Sequence, residues 1–271
     1  MTCLHPIVPK NRVGWNLSPL VPCGRCPACR VNRAEDWKNR MVWESDYFED
    51  TSFVTLTLDD DHLPLDRSVC KDTLQRFFKR LRKDIEPRKI KYFACGEYGE
   101  QFGRPHYHAV IFGLNCVNDA DIVKDNWGLG NVSLSIFKPE RARYTAGYLL
   151  KEVDSNINMT GCTKPFAIMS KKLGLRYCMK NANQIINSNN PLTLHGSPVA
   201  TPRYFRKKLD MNSNNSEYLT KQRDLHKMRI GEWKGPISNF DLQESFEAVR
   251  KQVGHNLAGK QSIKRDNDNG L

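Results

Sequence analysis

Residues 96–113, GEYGEQFGRPHYHAVIFG, carry the pattern that decides the fold. They contain the end of one β-prone segment, residues 89–98, and the whole of a second, residues 105–112. The glycine-bearing turn GEQFGR joins the two segments. A connection this short is typical of a hairpin, so we predict that the two strands pair antiparallel.

The elements on either side of this hairpin complete the order β-α-β-β-α-β-α. We predict strands at 53–58 (FVTLTL) and 131–137, and helices at 68–85, 119–127 and from Pro139 to about Val153. This order is the split β-α-β arrangement of ferredoxin-like sheets with one extra helix, an α+β fold. The antiparallel hairpin is expected to leave one sheet face free for a site.

The flanking segments divide the chain into three parts. Residues 1–50 hold an irregular segment rich in cysteine, followed by a helix near 34–48, and residues 51–210 form the main domain. Within that domain, residues 154–200 are rich in Asn, Ser, Thr and Gly and are expected to be mostly loop. Residues 211–271 are interpreted as a charged C-terminal extension, with a helix at 239–253 and disorder from about Gly254.

Composition limits the class of protein. The 271 residues carry a formal charge of +12 with a pI near 9.3, which favours a polyanionic partner such as nucleic acid over a merely basic soluble protein. We find no membrane-spanning run, no secretory signal and no GxxxxGK[ST] phosphate loop. Nine cysteines, an odd number, fit reduced thiols better than a disulfide framework.

His106 and His108 are the sharpest candidates for chemistry. Residues two apart on a strand share a face, so both imidazoles point the same way while Tyr107 points to the other. The hairpin brings the carboxylate of Glu97 near them, with Glu100 as the fallback ligand. Two histidines and one carboxylate form a mixed site suited to Mg²⁺ or Mn²⁺. The plain alternative is two surface histidines and a solvated charge at a strand end.

The last predicted helix carries two candidate nucleophiles. At 100° per residue, Tyr144, Tyr148 and Lys151 cluster on one side, opposite a packing face formed by small and aliphatic residues. A phenol needs nearby positive charge to ionise easily, and Lys151 and a bound metal would supply it. The alternatives are core tyrosines or a plain surface helix.

Two further clusters are candidate binding sites. Cys23, Cys26 and Cys29 have x₂ spacings that suit Zn²⁺, with Cys3 the nearest fourth ligand and His5 behind it; three free thiols are the alternative. Residues 201–209, TPRYFRKKL, form a basic aromatic patch suited to phosphates and stacked bases, or else a basic surface turn. The candidate DNA-binding residues of this patch are Arg203, Tyr204, Arg206, Lys207 and Lys208, with Phe205 among them.

The segments FVTLTL, GEYGEQFGRPHYHAVIFG and YTAGYLLK match in order the three motifs of HUH-type endonucleases. With PCGRCPAC and PRYFRKKL, the chain resembles the rolling-circle replication initiators of small circular single-stranded DNA phages, the gokushovirus branch of the microviruses. The resemblance covers roughly residues 20–210, and residues 51–210 would then be the HUH endonuclease domain.

This resemblance implies a function and its residues. His106, His108 and a carboxylate would hold a divalent ion at the scissile phosphate of single-stranded origin DNA. Tyr148, or else Tyr144, would attack and form a 5′-phosphotyrosine link, with Lys151 offsetting charge. The released 3′-hydroxyl would prime a host polymerase, beside a host helicase, in the cytoplasm of a bacterial host. A second cleavage and rejoining would circularise the displaced strand.

Two rival classes stay open at this point. A ferredoxin-like sheet can bind single strands by stacking bases on aromatic side chains without any chemistry, although that leaves Glu97, His106 and His108 without a purpose. A single-tyrosine transposase or relaxase would use the same metal site. Metal-stimulated cleavage that leaves protein on the 5′ end separates an enzyme from a binder.

Overall fold

The computed structural model describes residues 3, 5, 22–99, 103–154, 162–187, 192–194 and 196–209, with backbone alone for 148–154 and 197–198. Within these ranges the first eight elements are α1 (Pro27–Ser45), β1 (Thr51–Thr57), α2 (Lys71–Asp84), β2 (Lys91–Tyr98), β3 (Pro105–Phe112), α3 (Ala120–Trp127), β4 (Val132–Ile136) and α4 (Pro139–Asp154). The next six are β5 (Phe166–Met169), α5 (Leu175–Lys180), α6 (Ala182–Asn187), β6 (Leu192–Leu194), β7 (Ser197–Val199) and α7 (Arg203–Lys208).

Five strands form one antiparallel sheet in the order β4-β1-β3-β2-β5. The first four, with α2 and α3 as the crossovers, have the ferredoxin-like order that the sequence predicted, and the α+β fold is confirmed. β5 adds a fifth strand at the free edge of β2, where Phe93 pairs with Met169. A separate two-stranded sheet pairs β6 with β7.

The larger hydrophobic core lies on the face of the sheet covered by α2 and α3. Strand alternation sends Val54 and Leu56 of β1 to this face, where both are fully buried. The apolar stripe of α2 packs onto them, as its period predicted; its buried residues are Leu74, Phe77, Phe78 and Leu81. α3 ends at Gly128, whose φ of +58° is a left-handed conformation that glycine adopts without strain.

The opposite face of the sheet is only partly covered. At one end of the strands, Phe53, Phe93, Val110 and Phe112 pack under α1 and α4, in a core cluster with Met41, Val42, Ala142 and Ala146. At the other end the same face carries Thr55, Glu97, His106 and His108. Glu97 and His108 are buried and Thr55 and His106 are half-buried, so the expectation of a free sheet face is not met even at this end.

Two predictions of local structure were wrong. The first helix begins at Pro27 rather than near 34, so it includes the last of the clustered cysteines, Cys29. The described residues of the stretch 154–200 are not mostly loop, because most of them belong to β5, α5, α6, β6 and β7. Residues 203–208 form helix α7, so the alternative of a basic surface turn does not hold. The predicted helix at 239–253 and the disordered end lie outside the described residues.

The chain divides into two units, Ala34–Asp210 and Met1–Arg33 with Met211–Leu271. The sheet and its helices belong to the first unit. Among the described residues, no helix is both long and apolar enough to cross a membrane.

Candidate functional site

The register of β2 against β3 places three polar side chains together on one face of the sheet. His106 and His108 are two apart on β3 and so point to the same side. On the neighbouring strand, Glu97 lies directly opposite His106, and Cys95 lies opposite His108. The carboxylate is thus an immediate neighbour of one imidazole and a diagonal neighbour of the other.

The three side chains converge on a single point. Glu97 Oε1 lies 3.0 Å from His108 Nε2 and 3.4 Å from His106 Nε2. One ligand atom from each residue can be chosen so that all lie within 4.8 Å of one another. Glu97 and His108 are 3% and 5% exposed, whereas His106 is half-buried, so the cluster reaches solvent beside His106.

Two residues of β1 orient the His108 ring. Thr55 Oγ1 lies 3.0 Å from His108 Nδ1, and the Phe53 ring stacks on the imidazole at a centroid distance of 5.6 Å. When Nδ1–H donates to the Thr55 hydroxyl, Nε2 keeps its lone pair and faces Glu97. Sequence reasoning missed Thr55; its signal was a polar residue at an inward position of the FVTLTL strand.

Gly99 and Arg104, at the two ends of the hairpin turn, lie next to His106 and to the end of β1. Gly99 N–H donates to the carbonyl of Arg104 at 3.0 Å, and a Cβ on Gly99 would lie 3.0 Å from His106 Cε1. Arg104 donates from Nε and Nη2 to the carbonyl of Leu58, which ties the turn to the end of β1. Glu100, the fallback ligand, lies outside the described residues.

This donor set fits a divalent cation. A carboxylate oxygen and two imidazole nitrogens form a mixed N/O set of ligands that can bind a divalent metal ion. Glu97 and His108 lie on the buried side of the cluster, whereas His106 is partly exposed to solvent. The cluster is therefore a candidate site for a divalent metal ion.

Helix α4 brings Tyr144 to the metal-ligand candidates. The phenol ring lies edge-on to the His108 imidazole, with centroids 5.4 Å apart, and edge-on to Phe53 at 6.2 Å. The prediction that Tyr144 stands apart from the packing face was wrong: its half-buried ring packs against the core cluster that contains Ala142 and Ala146. The angle of 100° per residue predicts which side of α4 carries Tyr144. It does not predict how α4 is tilted on the sheet, and that tilt decides what Tyr144 contacts. The side chains of Tyr148 and Lys151 lie outside the described ones.

The basic aromatic patch is organised differently from its prediction. Phe205 is fully buried, 5.5 Å from the Trp43 ring, so it is a core residue and not a platform for bases. The Arg40 guanidinium lies 4.2 Å from the Tyr204 ring, and burial raises the pKa of the Tyr204 phenol. Of the predicted DNA-binding residues, Arg203, Lys207 and Lys208 are exposed and Tyr204 and Arg206 are half-buried.

The cysteine cluster forms within the other unit. The sulfur atoms of Cys3, Cys23, Cys26 and Cys29 all lie within 4.8 Å of one another. His5, the alternative fourth ligand, is exposed. Hydrogen bonds from backbone N–H groups of Cys26 and Arg25 lower the pKa of the Cys23 thiol to about 6.

The chain is similar to replication proteins of phages. A family model for replication-associated proteins of the ORF2 type matches residues 51–153. Identity is 29% to replication-associated protein VP4 of Bdellovibrio phage phiMH2K, over 68% of this chain and 66% of the relative. Identity is 27% to replication-associated protein ORF4 of Chlamydia phage 1, over 78% of this chain and 59% of the relative. Identity is 30% to replication-associated protein ORF2 of Spiroplasma virus 4, over 73% of this chain and 70% of the relative.

The chain therefore spans between 59% and 70% of the length of these relatives. No solved structure matches it.

Proposed function

The chain belongs to the family of phage replication-associated proteins, and from that premise we propose that it is a replication initiation endonuclease that nicks single-stranded origin DNA. The observation that carries the proposal is the convergence of Glu97, His106 and His108 beside Tyr144. A module that only binds DNA has no need for a buried carboxylate between two imidazoles, which is costly unless it is paired or binds a cation.

Glu97, His106 and His108 are the proposed ligands of Mg²⁺ or Mn²⁺. When bound, the ion would polarise a phosphoryl oxygen and help to neutralise the charge that develops there. Thr55 and Phe53 hold the plane of the His108 ring, so that Nε2 is oriented before substrate arrives. The exposed edge at His106 is where a phosphate of the DNA can approach.

A phenol of α4 is the proposed nucleophile. Its oxygen attacks phosphorus and forms a 5′-phosphotyrosine bond as the bond between phosphorus and the 3′-oxygen breaks. The phenol proton leaves to solvent, and the departing 3′-oxygen gains one, so a free 3′-hydroxyl results. One phosphoester replaces another, which is why the step needs no nucleotide cofactor.

Two tyrosines allow cutting and rejoining to alternate. We propose Tyr148 as the initiating nucleophile, because Lys151 lies one turn further along α4 and can offset charge beside it. Tyr144 would then attack the second junction, and the 3′-hydroxyl released there would rejoin the first phosphotyrosine to circularise the product. The position of Tyr144 beside His108 supports its use of the same site.

The partners follow from this chemistry and from the charge. A net charge of +12 attracts DNA, and Arg203, Lys207 and Lys208 on α7 are exposed to contact phosphates. The free 3′-hydroxyl would prime a host polymerase, with a host helicase separating the strands, in the cytoplasm of the bacterial host.

A nicking assay tests the proposal. Single-stranded origin DNA labelled at both ends is incubated with the protein and Mn²⁺, then separated on a denaturing gel. We expect a free 3′-hydroxyl product and a slower species in which protein is joined to the 5′ end, both lost on adding a chelator. Retention of the DNA without cleavage would instead identify a binding module.

A further inference from the structure

Four cysteine sulfurs lie close enough together to bind one metal ion. Cys3 Sγ lies 3.9 Å from Cys26 Sγ, and Cys23 Sγ lies 3.9 Å from Cys29 Sγ. A disulfide would place two sulfurs about 2.05 Å apart. Tetrahedral zinc with Zn–S bonds of about 2.3 Å places its four sulfurs roughly 3.8 Å apart. The two measured separations are close to that value, and all four sulfurs lie within 4.8 Å of one another.

The turn at Cys23–Cys26 directs backbone donors at the sulfurs. The N–H groups of Cys26 and Arg25 donate to Cys23 Sγ at 3.3 and 3.5 Å, and Cys23 N–H donates to Cys3 Sγ at 3.2 Å. Gly24 has a φ of +74°, in the left-handed region, which curls the chain around the Cys23 sulfur. Hydrogen bonds to sulfur favour the thiolate, the form that binds metal.

Helix α1 adds a favourable field at the same point. Arg30 N–H donates to the carbonyl of Cys26 at 3.0 Å, which makes Cys26 the N-cap, and Cys29 lies in the first turn. The N-terminus of a helix carries partial positive charge. A zinc ion with four thiolates has a net charge of −2, so this helix end stabilises it.

Three of the four cysteines are buried. Cys3, Cys26 and Cys29 are 8%, 6% and 7% exposed. In the described part of this unit, the hydrophobic cluster holds these residues with Ala28 and the half-buried Cys23. Small modules rich in cysteine are commonly held together by disulfides or by a metal ion.

We propose that Cys3, Cys23, Cys26 and Cys29 form a structural Zn²⁺ site that fixes the N-terminal segment to the start of α1. Binding converts the four thiols to thiolates and releases their protons to solvent. Four protein ligands close the coordination sphere and leave no position for water or substrate, so the site is structural. This inference does not rest on the proposed nuclease function.

Metal analysis of the full-length protein, purified without chelator, tests the site. We expect about one zinc per chain in the wild type, and a loss of most of it in Cys23→Ser and Cys29→Ser. Cys116→Ser is the matched control, because it removes a half-buried thiol outside the cluster and should keep its zinc. Folded wild-type protein with no zinc, with iron in its place, or with disulfides among these four residues would overturn the proposal.

Cobalt substitution gives a readout independent of nicking activity. Wild-type protein reconstituted with Co²⁺ should show the visible bands and thiolate charge-transfer absorption of tetrahedral sulfur coordination. A His106→Ala/His108→Ala double variant should keep both the zinc and these bands. If the bands disappear with the histidines instead, the metal belongs to the nuclease site and the four-cysteine assignment is wrong.

Discussion

Thr55 Oγ1 and His108 Nδ1 lie 3.0 Å apart, across the paired strands β1 and β3. The two residues are register partners, so the contact follows directly from the sheet and does not depend on a flexible loop. Through it, β1 determines which nitrogen of His108 faces Glu97. Thr55 is therefore a positioning residue for the proposed metal site.

Replacing Thr55 with Val keeps the shape of the side chain and removes its hydroxyl. Loss of such an outer partner typically weakens metal binding about 10- to 100-fold. We expect the Kd for Mn²⁺, measured by calorimetry or electron paramagnetic resonance, to rise within that range while DNA affinity in chelator stays unchanged. Thr55→Ser should restore Mn²⁺ binding. Equal Mn²⁺ affinity in the Val variant and the wild type would contradict the positioning role.

Removing a proposed ligand should abolish cleavage. Glu97→Gln keeps the size of the side chain but removes the charge that attracts a cation, and we expect nicking to fall below about 1% of wild type. Glu86→Gln, an exposed carboxylate outside the site, is the control. Loss of nicking in Glu100→Gln with Glu97→Gln active would transfer the role to Glu100.

The two histidines should respond differently to Ala. Both variants lose cleavage, but His106 is half-buried, whereas His108 is buried against Phe53 and Tyr144. We therefore expect His108→Ala to lower the free energy of unfolding by about 1–3 kcal/mol and His106→Ala to lower it by less than about 1 kcal/mol. Urea unfolding measures both, and nicking at the wild-type rate by the double variant would show that the metal site is elsewhere.

Substitutions on the buried and exposed sides of α7 should have different effects, the first on stability and the second on DNA affinity. Phe205→Ala opens a cavity beside Trp43 and should cost about 3–5 kcal/mol of stability. Reversing the charges of Arg203, Lys207 and Lys208 should instead weaken single-strand binding. If each contacts one phosphate, the slope of log affinity against log salt should become shallower by about 2. The same slope in variant and wild type would remove α7 from the DNA interface.

The parts of the fold that sequence predicted are those governed by local rules. A short turn and the two-residue period of a strand determine the hairpin. The pairing of Glu97 with His106 could therefore be predicted without knowing how distant parts of the chain pack. β5 was missed because FAIM has no alternation and its partner, β2, lies about 75 residues earlier in the chain. Burial of Phe205 depends on Trp43, more than 160 residues away.

Tyr144 shows the same limit within the candidate site. Its place on α4 could be calculated from helical geometry, but its contact with His108 depends on how the helix crosses the sheet. Thr55 was missed for a related reason. A threonine in a strand is ordinary until the register shows that it faces a histidine.

The two tyrosines can be separated by conservative substitution. Phe retains the ring and removes the attacking oxygen, so Tyr148→Phe should lose the first nick. Tyr144→Phe should nick once but fail to join the ends into a circle, and the double variant should form no adduct. A circularisation assay on DNA with two origin sites distinguishes these outcomes. Full circularisation by Tyr144→Phe would show that one tyrosine is sufficient.

Mass spectrometry of the protein–DNA adduct tests the central claim most directly. After incubation with single-stranded origin DNA and Mn²⁺, digestion with nuclease and protease should leave a nucleotide remnant on a single peptide from α4. We predict that the remnant is a 5′-phosphotyrosine at Tyr148. An adduct found only at Tyr144 would reverse the order of the two nucleophiles, and DNA cleaved with an adduct on neither residue would contradict the tyrosine mechanism.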